Sequence, residues 1–239
     1  MPNEILLLTD PAMAQLLEAG LRESAPDIEI TVLTTKDEVA ARFAKPLNGV
    51  RLIAAGTDVI LSADQLAALD GPAYNLHPGS PEYPGLFPSV FALYQGAEQF
   101  GTTVHEMTAD VDGGPIVAVE RFDIPKDADR LTLDQLSLAS LIGLFNALAG
   151  HFAFYDTPLP PVGENWGAKR WTRKDFNDLC RLPEGIDKAE FERRYRAIGE
   201  GPDHALETTL FGHRFVLDNR RKEQPVYVAG LSADRDSSA

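Results

Sequence analysis

The sequence predicts an α/β fold, a Rossmann-like open and mainly parallel twisted sheet with a small C-terminal helix-plus-hairpin extension. Two observations carry this. Over the first 77 residues, four short apolar runs alternate with three helical stripes, the order expected of parallel strands joined by crossover helices. At residue 156 the texture changes to the proline-rich DTPLPPVGENWG, after which charged helical and short strand patterns follow.

Residues 5–8, ILLL, form the first strand. Pro11 then opens a helix with Met13, Leu16, Leu17 and Leu21 on one stripe. Residues 28–33 are a second strand and 36–44 a second helix. The run VRLIAA at 50–55 is apolar except for Arg51 and suits a buried strand. Ser62 followed three residues on by Gln65 is a capping-box pattern, opening a short helix that ends near Leu69. Residues 73–77 are the fourth strand.

Beyond a Pro/Gly segment, Pro88 opens a helix that Gly96 closes. Residues 101–107 and 116–122 make two further strands joined by TADVDGGP. Thr132 with Gln135 repeats the capping-box pattern and starts an apolar helix running to Tyr155. Asp187 and Glu190 cap a charged helix through Ile198, and 206–217 with 225–229 suggest a hairpin. The expected organisation is a main domain over 1–155, a connector over 156–170, a small subdomain over 171–231 and a disordered tail over 232–239.

The 239 residues suffice for one good-sized α/β domain with a small appendage. The start, MPNEILLLTDP, has an acidic residue and no basic one before its apolar run, unlike a signal peptide. No apolar stretch approaches the roughly 20 residues a bilayer needs. Cys180 is the only cysteine, so an internal disulfide or thiolate cluster is excluded. These features predict a cytoplasmic protein without a membrane partner. Formal charge is −14, and residues 1–155 carry 8 Lys/Arg against 21 Asp/Glu, whereas 156–239 carry 14 against 15. Such a field over the first part repels polyphosphate and argues against a nucleic-acid partner.

The stretch YNLHPGSPEYPG at 74–85 draws attention to Asn75 and His77. Two apart on a strand, they share a face, while Tyr74 and Leu76 take the other. They sit at the strand's carboxyl end, where open α/β sheets place ligands. A satisfied half-buried histidine beside a turn-forming asparagine is the alternative for these two taken alone. Asp112, followed by Gly113-Gly114-Pro115, lies in a tight turn of the kind that serves ligands. A carboxylate near an imidazole orients it and raises its pKa, giving a pair suited to proton transfer near neutral pH. Ser80 lacks the setting of a nucleophile, Cys180 has no nearby histidine, and no metal spacing supports His77, His105 and Asp112 as ligands.

Asn-x-His-Pro at a strand end, the loop ending YPG, and ALYQGAEQFGTTVHEMTADVDGGPIV together resemble the folate-dependent formyltransferases, N10-formyltetrahydrofolate N-formyltransferases. The resemblance extends back through IAAGTDVILSADQLAAL and covers residues 50–125 well. It implies transfer of a formyl group from N10-formyltetrahydrofolate to a primary amine, with Asn75, His77 and Asp112 as the catalytic trio. It also implies that the backbone of Gly56, Thr57, Asp58, Val59, Ile60, Leu61, Ala109, Asp110 and Val111 holds the pterin edge.

Two departures bear on the acceptor. Gly79-Ser80-Pro81 is shorter than the family's Ser-Leu-Leu-Pro, and TDPAM lacks a glycine-rich phosphate cradle and places Asp10 at a helix start. These count against glycinamide ribonucleotide. The acidic main domain and short tail count against tRNA, and the layout is most similar to sugar N-formyltransferases. The acceptor expected is therefore a small-molecule amine, an amino sugar nucleotide among them, with Arg193, Arg194 and Arg196 as candidates either for its diphosphate or for a solvated helix face. The sugar enzymes are often dimers, so a homodimer is one arrangement the resemblance carries. The alternatives are a 10-formyltetrahydrofolate hydrolase, a methionyl-tRNA formyltransferase-like enzyme and a non-catalytic folate-binding module.

Overall fold

A computed structural model describes residues 1–199 and 205–217. The six-stranded sheet has the order β2-β1-β3-β4-β5-β6, formed by β1 (Glu4–Thr9), β2 (Glu29–Leu33), β3 (Val50–Ala55), β4 (Tyr74–His77), β5 (Gln99–Glu106) and β6 (Ile116–Asp123). The first four strands in that order are parallel, and β5 and β6 are antiparallel to their neighbours. The chain order reverses at β1, and ligand crevices of such sheets open at the carboxyl ends beside this point.

Alternation along β1 explains how the sheet is covered on both faces. Ile5 and Leu7 pack with α1 (Pro11–Ser24) and α5 (Arg130–Phe154) through Leu17, Leu21, Phe145 and Phe152, whereas Leu6 and Leu8 face Val39 of α2 (Lys36–Phe43) and Leu61. Arg51, the one charge in β3, is buried with Nη1 donating to the carbonyls of His151 and Phe152. A cation there meets carbonyls at the negative dipole end of α5, so it strengthens the strand–helix contact.

Both ends of several elements follow local rules. Ser62 and Gln65 form the expected capping box of α3 (Ala63–Ala67), and Gly96 closes α4 (Pro88–Gln95) in a left-handed conformation. The cap of α5 is a correction: Asp129, not Thr132, accepts from the Thr132 amide, which moves the helix start to Arg130. By length and composition α5 is apolar enough to cross a membrane, contrary to the expectation that no stretch comes near that length. Here it is a core helix, with Leu133, Leu141, Phe145 and Phe152 buried.

A third apolar cluster joins α4 to the C-terminal segment, where Phe91, Phe100 and Leu133 pack with Phe176 and Leu179 of α6 (Arg173–Cys180) and Ile198 of α7 (Lys188–Ile198). Helix α6 was not expected from the sequence, because its capping box pairs Thr172 with Asp175 rather than a longer Glu or Gln. Asp187 caps α7 as expected. The hairpin is formed by β7 (Glu207–Leu210) and β8 (His213–Val216), both within 206–217, while 225–229 and the tail at 232–239 lie outside the described residues.

Candidate active site

Strand β4 runs antiparallel to β5 in a register that sets Asn75 opposite His105 and His77 opposite Thr103. Asn75, His77 and His105 thereby approach one another at the end of the sheet, and the β5–β6 loop brings Asp112 between the imidazoles. His77 Nδ1 lies 3.4 Å from Asp112 Oδ2, and His105 Nε2 lies 3.3 Å from Asp112 Oδ1. Asn75 Nδ2 is 3.0 Å from His105 Nε2. All three residues named from the sequence meet. His105, weighed there only as a metal ligand, joins them because antiparallel pairing places it across from Asn75, a fact no local signal carries. Among the described residues no three-group set suited to a metal ion is found.

Hydrogen bonding assigns the protons. His77 Nε2 is 3.0 Å from the Tyr83 carbonyl, which can only accept, so Nε2 carries a proton and Nδ1 is left facing Asp112. His105 Nδ1 likewise donates to the Glu106 carbonyl at 2.9 Å, leaving Nε2 toward Asn75 and Asp112. Burial lowers the pKa of His77 more than the Asp112 charge and the Tyr83 bond raise it, so the ring is neutral at pH 7 with an open lone pair on Nδ1. For Asp112, burial pushes the pKa up, but the charge His77 carries when protonated, the interaction with His105 and the bond from the Gly85 amide outweigh it and hold it at about 2.

Both shifts have the same sign for stability, since the unfolded chain binds protons more readily at each group than the folded one. The His77 contribution is present above its unfolded value near 6.5 and is lost as pH falls through its lower folded value. That of Asp112 is present above its unfolded value of 3.8 and is lost on descent to about 2. Unfolding free energies from urea titrations between pH 7 and 2 are expected to fall, with Asp112 responsible for about 2 kcal/mol across its window. In Asp112→Asn that lower step should vanish.

The Pro/Gly loop after β4 folds back on the histidine that precedes it. A Cβ on Gly79 would stand 2.6 Å from His77 Nε2 and from Pro88 Cβ, so only glycine fits there. Gly85 has φ 97° and a Cβ would lie 2.2 Å from the Trp171 carbonyl oxygen; its amide donates to Asp112 Oδ2 at 2.8 Å. Asp112 itself has φ 46°, a left-handed conformation that aspartate tolerates better than most residues. The glycines in this loop therefore serve close backbone approach, and the short Gly79-Ser80-Pro81 turn is bound by Thr103 Oγ1 donating to the Gly79 carbonyl at 2.7 Å.

A cavity of about 460 Å³ opens over Asn75, His77, His105 and Asp112. Gly56, Thr57, Asp58, Val59, Ile60 and Leu61 line one side, and Asp110 and Val111 another. Ala109, expected with them, is not among the lining residues; it is an exposed residue of the loop. Ile60, Leu86 and Val111 on this wall are 66%, 44% and 43% exposed, an apolar surface that a ligand would cover. Arg170 and Arg173 also line it, and neither is paired with a carboxylate among the described residues. A smaller cavity of about 250 Å³ shares Gly56, Pro78, Phe87 and Pro88 with it and ends at Ser89, Arg130 and Asp134.

The three arginines considered for a diphosphate are engaged elsewhere. Arg193 and Arg194 both bind Glu190, Arg194 also donates to carbonyls at the end of α6, and Arg196 donates to the Ala128 carbonyl. They hold α7 in place, so the cations that face the cavity are Arg170 and Arg173.

The family model described as formyl transferase matches residues 15–139, more than half of the chain, and spans every strand-borne group of this site. The chain belongs to the formyl transferase family. Phosphoribosylglycinamide formyltransferase of Escherichia coli (strain K12) is 40% identical over 67 residues, 28% of this chain and 32% of that protein. Methionyl-tRNA formyltransferase of Pseudoalteromonas translucida (strain TAC 125) is 26% identical over 198 residues, 79% of this chain and 58% of that protein. The chain thus spans about a third and somewhat over half of the lengths of these relatives. The crystal structure of a sugar N-formyltransferase from Shewanella sp FDAARGOS_354 shares the fold with a TM-score of 0.74 at 16% identity, over 93% of this chain and 99% of that one.

Proposed function

We propose that this formyl transferase moves a formyl group from N10-formyltetrahydrofolate to the primary amine of a small acceptor. The observation that carries the reading is the buried Asp112 carboxylate set against an imidazole whose only open nitrogen, Nδ1, faces it. The donor supplies an activated formyl carbon. The cavity suits its flat pterin, with the Gly56–Leu61 backbone along one edge, Asp110 and Val111 along another and exposed apolar side chains between.

Each residue then has a role in the transfer. As the acceptor nitrogen bonds to the formyl carbon, Asn75 Nδ2 donates to the formyl oxygen that gains negative charge. His77 Nδ1 takes the proton the amine loses, Asp112 stabilises the imidazolium, and the same proton returns to the N10 nitrogen as its bond to the formyl carbon breaks. His105 Nε2 accepts from Asn75 and so orients the carboxamide. No covalent enzyme intermediate is needed.

For the acceptor, an amino sugar nucleotide fits best. Arg170 and Arg173 at the cavity wall suit a diphosphate. The likeness to a sugar N-formyltransferase over nearly the whole of both chains supports the same class. Asp10 caps α1 and places a negative side chain where a phosphate cradle would stand, which speaks against a ribonucleotide there.

The test is to incubate the protein with 10-formyltetrahydrofolate and a panel of amines. Tetrahydrofolate should accumulate only with a cognate amine, and amino sugar nucleotides should outcompete glycinamide ribonucleotide and methionyl-tRNA. Folate release without any amine would instead mark a hydrolase, and folate binding without turnover a binding module.

A further inference from the structure

Trp166 lies in the connector after α5, far in sequence from β4 and β5, yet it touches both histidines of the site. Its ring meets His105 edge to face with centroids 5.0 Å apart and His77 in the same manner at 5.7 Å. Its Nε1 donates to the Gly114 carbonyl at 2.9 Å, in the turn that carries Asp112. It does not line the cavity over the site, so it meets the imidazoles from a side that ligand does not occupy.

The connector around it is anchored at both ends. The Val162 amide donates to the Ile116 carbonyl, and the Gly167 amide to that of Pro81. Further on, the Trp171 amide donates to the Pro84 carbonyl of the loop, and the Trp171 carbonyl accepts from the Leu86 amide. Arg121 on β6 binds Glu164 of the connector and Glu82 of the loop after β4 together. An indole held this way has little freedom, and the rings packed against it inherit that order.

We propose that Trp166 is a positioning residue for the site: its indole holds the His77 and His105 rings and the Asp112 turn in one arrangement and keeps water from the side away from the cavity. Its part in formyl transfer rests on the function proposed above. Water kept off His77 is one contribution to the burial that disfavours its charged form. The other groups facing the two rings are Asp112 from the β5–β6 loop and the Tyr83 and Glu106 carbonyls, with Arg170 beside Gly113 at the turn. Changing Trp166 leaves the identity of these groups unchanged, so a shifted titration reports on their arrangement and on access of water.

Two variants test this, Trp166→Leu and the more conservative Trp166→Phe, which keeps a ring but removes the donor to Gly114. Imidazole titrations followed by NMR on the protein without substrate should show His77 moving up toward its ordinary value in Trp166→Leu, and less in Trp166→Phe. In the transfer assay, kcat should fall about 10- to 100-fold in Trp166→Leu, with partial recovery in Trp166→Phe and KM for the folate donor little changed. Unchanged titrations together with kcat within about twofold of wild type would overturn the proposal. A shifted His77 titration in a protein that transfers formyl to no amine would support the positioning role and overturn the function instead.

Discussion

Asp112→Asn is expected to lower kcat by about three orders of magnitude while the protein stays folded. The substitution keeps size and tolerance of the left-handed backbone at φ 46°, and the amide oxygen can still accept from the Gly85 amide. What it removes is the negative charge 3.4 Å from His77 Nδ1. The imidazolium that forms when the amine gives up its proton then has no counter-charge in a buried site, where such a charge is expensive to leave unpaired. The His77 pKa, already lowered by burial, should fall further in the variant. Rates measured against pH, with circular dichroism as a control for folding, check this. A variant within tenfold of wild type would show that Asp112 does not support the proton transfer.

Asn75→Ala is expected to lower kcat by about 10²- to 10³-fold, the scale of losing one oxyanion donor. Asn75 sits on β4, pinned by backbone pairing with β3 and β5, so its carboxamide is held by rigid elements. Its Nδ2 has two hydrogens, one directed at His105 Nε2 and the second available to the formyl oxygen. Removing it costs the transition state more than the ground state, because the charge on that oxygen develops only during attack. KM for the folate donor should therefore change far less than kcat. Asn75→Asp makes a sharper comparison, since it preserves shape while facing the developing charge with another negative one, and it should be slower still than Asn75→Ala.

Much of the fold and the core of the site were legible in the sequence, for reasons that are local. The parallel sheet is announced by apolar runs such as LIAA in β3 alternating with helices whose ends carry short-range signals like Ser62 with Gln65. Asn75 and His77 share a face because side chains alternate along any strand, and the proline after His77 marks where that strand ends. Asp112 stands before two glycines and a proline, a turn whose chemistry is written in four residues. Each of these readings spans fewer than ten residues; that Asp112 joins Asn75 and His77 was implied by the resemblance to the formyltransferases, not by local geometry.

Only the tertiary structure decided the rest. His105 becomes part of the site through an antiparallel register between β4 and β5, and sequence spacing carries no information about register across thirty residues. Trp166 reaches both imidazoles because a connector with little regular structure is bonded across the loop after β4, through contacts between segments more than eighty residues apart. Arg193, Arg194 and Arg196 look free on a helical wheel, yet Glu190, the end of α6 and the Ala128 carbonyl take them up, while Arg170 and Arg173 face the cavity. A charged side chain's availability depends on its neighbours in space, so the sequence by itself determined that Asn75 and His77 share a strand face and that Asp112 stands in a turn, and packing decided that they meet, what surrounds them and which cations are left for a ligand.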